Sequence, residues 1–208
     1  MKKNNLILTI IVVTVILFST SGYAQTVTIG NQVWTSKNLD VSTYRNGDVI
    51  PQVQDKNAWA NLTTAAWCYY DNDPSNGTKY GKLYNWYAVN DPRGLAPNGY
   101  HIPTDQEWTK LTDYLGGLSE AGTKMKSTSG WSYFGNGTNS SGFSGLPGGV
   151  RSTNGIFYTV GAWGYWWSST ENETYSAWAR ELWCNGGFIS RREGSKLFSG
   201  YSVRCIRD

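Results

Sequence analysis

The residues best suited to acid–base chemistry are the single histidine, His101, and the carboxylates that follow it, Asp105 and Glu107. A general base needs an orienting partner and a water or nucleophile within reach. His101 precedes Pro103 at a loop-to-helix junction, and Glu107 is taken by the capping box Thr104-Asp105-Gln106-Glu107. With one histidine and no Gly-x-Ser-x-Gly frame, His101 is expected to be structural, and no catalytic residue is assigned. Asp71 to Gly77 places oxygens as a calcium loop does at its first, third and fifth positions. Asn76 then stands where that loop needs glycine, and Lys82 where it needs glutamate. No metal ligand is assigned and no cofactor is expected, with a structural calcium at a non-EF site left open.

Three cysteines, Cys68, Cys184 and Cys205, permit one disulfide and leave one thiol over, and the sequence does not say which pair forms. None lies in a zinc-ligand spacing with His101. The segment Tyr175 to Tyr201 mixes aromatic and cationic side chains. It supplies the candidate ligand-binding residues Trp178, Arg180, Glu181, Trp183, Asn185, Phe188, Ser190, Arg191 and Arg192. Trp and Arg dominate binding hot spots, so a surface combining them suits sugar stacking or protein recognition. Strand alternation sets Trp178, Arg180 and Leu182 on one face, with Ala177, Ala179, Glu181 and Trp183 on the other.

The elements that must carry these residues follow from local signals. Lys2 and Lys3, an apolar run from Leu6 to Phe18, and Ala24 before Gln25 read as a signal peptide over 1–24. That run is shorter than the roughly twenty residues a membrane span needs. One exported domain over 25–208 is expected, secreted, periplasmic or at the cell surface, with no span after cleavage. Of the net charge of +3, Lys2 and Lys3 carry two, so the mature chain is nearly neutral and unsuited to nucleic acid. Eleven Trp, 14 Tyr and 24 Gly suggest many short strands joined by tight loops. Asp55 to Leu62 and Lys82 to Val89 read as helices, and a capped helix starts at Thr104 and stops at Gly116-Gly117. Ala66 to Tyr70 reads as a buried strand and Asp71 to Gly77 as a polar turn. After Gly122, strands are expected at 142–151, 155–160, 165–169, 175–183, 188–192 and 201–206. Ser152 to Gly155 and Asn185 to Gly187 have hairpin chemistry. Helices early and an antiparallel sheet late argue an α+β fold.

Seven stretches in order also resemble the Fibrobacter succinogenes major paralogous domain family. They are Thr28 to Trp34, Ala66 to Asp73, Tyr80 to Ala88, Gly99 to Trp108, Gly142 to Gly149, Tyr165 to Thr170 and Ser202 to Arg207. The family occurs on exported proteins and has no established activity. Leu83 to Trp86, His101 to Trp108 and the strand at Val203-Arg204 are more distantly similar to formylglycine-generating enzymes and their C-type-lectin-like fold. That similarity implies paired terminal strands and two helices flanking antiparallel sheets with long loops, but the copper-binding cysteine pair has no counterpart. The family resemblance implies a disulfide between Cys68 and Cys205, which contributes roughly 4–5 kcal/mol by chain entropy. It also implies that 177–199, which departs from family wording, is a segment diversified by retroelement mutagenesis, as in some lectin-like domains. The functional expectation is a non-catalytic module binding a glycan or protein; the alternative is a hydrolase or oxidase on the same fold.

Overall fold

The computed structural model describes residues 25–196 and 199–208; the expected signal peptide lies outside the described residues. Strands β1 (Thr26–Ile29) and β2 (Gln32–Thr35) form a tight hairpin, with Gly30 at φ +61° at the turn. Helix α1 (Lys56–Ala60) starts where expected, Asp55 accepting from the Ala58 N–H at 2.7 Å. The expected strand at 66–70 shrinks to β3 (Trp67–Cys68), followed by a 3-10 turn at Tyr70–Asn72. The expected polar turn then becomes helix α2 (Pro74–Tyr80), because Asp73 caps it by accepting from Ser75 N at 2.8 Å and Pro74 fits its first position.

The helix expected over 82–89 is instead strand β4 (Leu83–Tyr84) followed by the short α3 (Trp86–Val89). Buried Asn85 explains the break. Its side chain accepts from the N–H groups of Ala66 at 3.0 Å and Ala88 at 3.1 Å, and donates to Thr64 O at 2.8 Å. Those bonds hold the chain extended beside β3 and cap α3, so local side-chain bonding defeats helical spacing. Strand β5 (Tyr100–His101) leads into α4 (Asp105–Tyr114), where the capping box forms: Glu107 N donates to Thr104 Oγ1 at 3.2 Å and Thr104 N to Glu107 at 2.8 Å. A further helix, α5 (Ala121–Met125), lies where none was expected.

In the later half, the broad strand expected at 142–151 contracts to β6 (Val150–Arg151). Positive φ at Gly142, Ser144 and Gly149 breaks the extended backbone. Strand β7 (Phe157–Tyr158) pairs with β6 across the expected hairpin turn. Strands β8 (Trp163–Glu173), β9 (Ser176–Trp183) and β10 (Ile189–Ser195) form an antiparallel meander, and Asn185 to Gly187 supply the second hairpin. The last strand is β11 (Ile206–Arg207), which enters the sheet ordered β1-β2-β11-β5 and so joins the two ends of the described chain. The fold is mixed α and β, with short helices and several small antiparallel sheets.

The meander is covered on both faces. Trp166 and Leu182 pack with Trp34, Trp108, Leu111 and Phe143 on the α4 side. Tyr165, Trp167, Ala177 and Ala179 pack with Trp67, Trp86 and Tyr201 on the other. Double coverage leaves little room at the close approaches: a Cβ on Gly122 of α5 would lie 2.3 Å from Phe188 O in the hairpin turn.

Buried cations tie the long loops to this core. Arg204 is almost fully buried and donates to Asn38 Oδ1 at 2.7 Å, to the carbonyls of Thr35 and Phe143 at 2.7 and 2.8 Å, and to Ser144 O at 3.1 Å. Arg151, fully buried, reaches the carbonyls of Val53 at 2.6 Å and Gln54 at 2.8 Å and lies over the rings of Trp59 and Phe157.

The expected Cys68–Cys205 disulfide is corrected: all three cysteines are free and buried. Cys68 sits with Trp59 and Leu83 in a small cluster, with Arg151 beside it, whereas Cys205 packs in the larger core beside Arg204. Burial pushes both thiols up to about 12, only partly opposed by the neighbouring guanidinium groups.

Two outcomes follow. Alkylation of the native protein leaves Cys68 and Cys205 unmodified, while denaturation without reductant exposes three thiols by mass; recovery of only one would contradict the free-cysteine core. Gly122→Ala lowers stability in a denaturant melt by about 1–3 kcal/mol, the usual cost of overpacking, although alanine is the better helix former.

Candidate functional site

The nine hairpin residues singled out by sequence divide between the two faces of β9 and β10, and they do not form one surface. On the α4 face, Arg180 is buried, with both terminal nitrogens engaged and its Nε left without a partner among the described residues. Its Nη1 donates to Asp105 Oδ1 at 2.7 Å, and its Nη2 donates to Asp105 O and Thr109 Oγ1, both at 3.1 Å. Arg191, directly opposite it in register, places Nη2 2.9 Å from the other Asp105 oxygen. The Arg191 guanidinium also lies 3.3 Å from the ring centroid of half-buried Trp178. Burial favours the protonated Asp105, but the two guanidinium groups outweigh it and hold the carboxyl below its usual range. This cluster clamps the start of α4 to the hairpin, which makes Arg180 a positioning group rather than a ligand contact.

On the opposite face, Glu181 is also buried. It accepts the indole N–H of Trp183 and pairs with the exposed Arg192. Around it runs a line of rings. Trp163 and Trp183 stand 4.3 Å apart, Trp183 meets Phe188 edge-on at 5.2 Å, and Trp163 stacks on Tyr165 at 5.9 Å. Trp163, Trp183, Phe188 and Ser190 are half-buried and Asn185 is exposed, so the outer part of this line faces solvent. Lys126 fixes the turn from below, donating to Trp183 O at 3.1 Å and Gly186 O at 2.8 Å.

Sequence reasoning missed two residues at the same end. Tyr133 and Phe134 are both exposed, Phe134 entirely, and hold φ of +52° and +59°. Such backbone is unfavourable for aromatic residues and survives only where surrounding contacts impose it. Those contacts are visible: Ser132 N donates to Gly161 O at 2.7 Å, Trp131 N to Asn136 Oδ1 at 3.0 Å, and Gly135 packs so close to Cys184 that a Cβ would lie 2.3 Å from its carbonyl oxygen. The loop is thereby fastened between the start of β8 and the end of β9. No local signal could have found them, since Trp131, between the same Gly130 and Gly135, is buried.

His101 does not look out onto this surface. Its Nδ1 lies 2.7 Å from Asp208 Oδ1 and its Nε2 2.9 Å from Glu107 Oε1. Both nitrogens face carboxylates, so the charged ring donates twice and neither nitrogen is left to take a proton from a substrate. Burial, the largest single influence, pulls its pKa down, but Asp208 and Glu107 together outweigh it and raise the value above the ordinary 6.5. Asp73, in the segment weighed as a calcium loop, accepts at Oδ1 from Ser75 N at 2.8 Å and at Oδ2 from Ser75 Oγ at 2.7 Å. Among the described residues no group of three or more His, Cys, Asp or Glu side chains converges as a metal site requires, and no helix is long and apolar enough to cross a membrane.

The family model of the Fibrobacter succinogenes major domain matches residues 27–207, so the chain belongs to that family. No curated protein and no solved structure matches it.

The histidine gives a pH prediction. Because its folded pKa lies above the unfolded one, the charged ring stabilises the fold fully below about 6.5 and loses that effect as pH rises through the folded value. NMR titration gives a His101 pKa above 6.5, and Asp208→Asn brings it down; a value at or below 6.5 in the unaltered chain contradicts the doubly bonded ring.

Proposed function

We propose that this member of the Fibrobacter succinogenes major domain family is an exported, non-catalytic recognition module of C-type-lectin-like architecture that binds a saccharide against its aromatic end. The observation that carries the reading is that the half-buried Trp163, Trp183 and Phe188 lie at the same ends of β8 and β9 to which the loop of the exposed, strained Tyr133 and Phe134 is fastened. Two positive-φ aromatic residues cost about 1–3 kcal/mol each. A fold that keeps such residues in water forgoes burial as well, and ligand contact is the return that accounts for both. Aromatic rings also lose little conformational freedom on binding, so they make low-entropy contact surfaces.

Saccharides suit the site because flat ring faces stand beside hydrogen-bonding groups. Asn185, Ser190 and Arg192 supply these at the border, with Glu181 holding Arg192 and Trp183 in place. Pairing of β2 with β11, near the two ends of the described chain, supports the lectin-like architecture. The signal-peptide pattern in the sequence supports action in the periplasm or at the cell surface.

A glycan array followed by calorimetry tests the reading. Trp183→Ala and the double variant Tyr133→Ala/Phe134→Ala each weaken saccharide binding by about 10- to 100-fold, the loss of roughly 1.4–2.8 kcal/mol of hot-spot contact. The double variant keeps its melting temperature, because both side chains are exposed. Undiminished affinity in both variants contradicts the assignment, and capture of a protein ligand lost in the same variants would replace the saccharide while keeping the surface.

A further inference from the structure

A second recessed surface, lined by none of the nine hairpin residues, lies where β2 passes the end of α2. It is a cleft of about 540 Å³, within the range of small-ligand sites. Three cations border it: Lys37, Lys79 and the buried Arg204. Asp40 is the carboxylate on its wall, and that group is already bound to buried Lys82 at 2.7 Å. Lys37 and Lys79 are exposed, and among the described residues neither pairs with a carboxylate.

Arg204 is the unusual member. A buried guanidinium ordinarily sits against a carboxylate, because burying the charge alone is costly. Here its acceptors are neutral: the Asn38 side chain and the carbonyls of Thr35, Phe143 and Ser144. Among the described residues Nη2 donates only to Ser144 O, which leaves one of its two N–H groups without an acceptor there. The cleft therefore has a net positive wall with Arg204 among its lining residues, and Asp40, its carboxylate, is committed to Lys82. The remaining lining is hydroxyl and amide in character, from Thr78, Ser127, Ser144 and Asn38.

We propose that this cleft binds a small carboxylate-bearing, hydroxyl-rich ligand of the sugar-acid class, its carboxylate directed at Arg204 and flanked by Lys37 and Lys79. A single spare N–H on a rigid guanidinium, with hydroxyl-lined walls, fits one carboxylate on a polyol better than a multiply charged phosphate. The site is independent of the aromatic end and stands whether or not that end binds saccharide.

Calorimetry of the purified chain with glucuronate, glucose and inorganic sulfate tests it. Glucuronate binds, glucose does not, and sulfate binds more weakly than glucuronate. Lys37→Ala/Lys79→Ala, which alters exposed side chains and so leaves the fold intact, weakens glucuronate roughly tenfold; all titrations are run in the Tyr133→Ala/Phe134→Ala background, which removes saccharide contact at the aromatic end. Absent glucuronate binding, equal affinity for glucose, sulfate binding as tight as glucuronate, or affinity unaffected by the double lysine variant would each overturn the proposal.

Discussion

The structure depends on one arrangement: positive charge taken into the interior and solvated there by main-chain oxygens. Arg204 is its clearest instance. The guanidinium draws the carbonyls of Thr35, Phe143 and Ser144 and the side chain of Asn38 onto one group, joining β2, the 143–144 loop and the end of the chain. Desolvation pulls its pKa down to about 9, yet it stays charged at neutral pH. A charge with no carboxylate holds its place only if carbonyl dipoles replace water, and those carbonyls are themselves left unpaired by strands. Irregular loop and buried cation each supply what the other lacks.

The same exchange recurs at Arg151 and Lys126. Arg151 gathers the carbonyls of Val53 and Gln54, and Lys126 gathers those of Trp183 and Gly186. Aromatic faces complete the shells: Trp59 and Phe157 for Arg151 and Trp131 for Lys126. This explains how a chain of short strands and many glycines fixes its loops with all three cysteines free. It also ties fold to proposed recognition, because the Lys126 clamp sets the turn beneath Trp183 and Phe188.

Local chemistry was readable where it acted alone. The Thr104–Glu107 capping box, the Asp55 cap and the Asn185–Gly187 hairpin turn depend on neighbouring residues, and all three formed. Tertiary bonding decided the rest. Asn85, by bonding to residues 64 and 66, replaced a helix with a strand and a short turn of helix. Alternation along β9 placed its residues on the right faces, but the sequence did not show that both faces are covered. Arg180 and Glu181, read as ligand contacts, are therefore internal anchors, held by Asp105 on one side and by Arg192 and Trp183 on the other. Tyr133 and Phe134 escaped notice because nothing local separates a displayed aromatic from a buried one. The disulfide implied by family resemblance failed because Cys68 and Cys205 belong to separate clusters, each beside its own arginine.

The central claim is that the interior guanidinium holds the loops, rather than being tolerated by them. Equilibrium denaturation of Arg204→Met measures this, since methionine keeps much of the side-chain volume while removing every donor. The account predicts a loss of about 3 kcal/mol or more, because the buried carbonyls of Thr35 and Phe143 and the part-buried one of Ser144 lose their partner. Stability equal to or above that of the unaltered chain, as when buried ionic groups are replaced favourably by apolar ones, would contradict it.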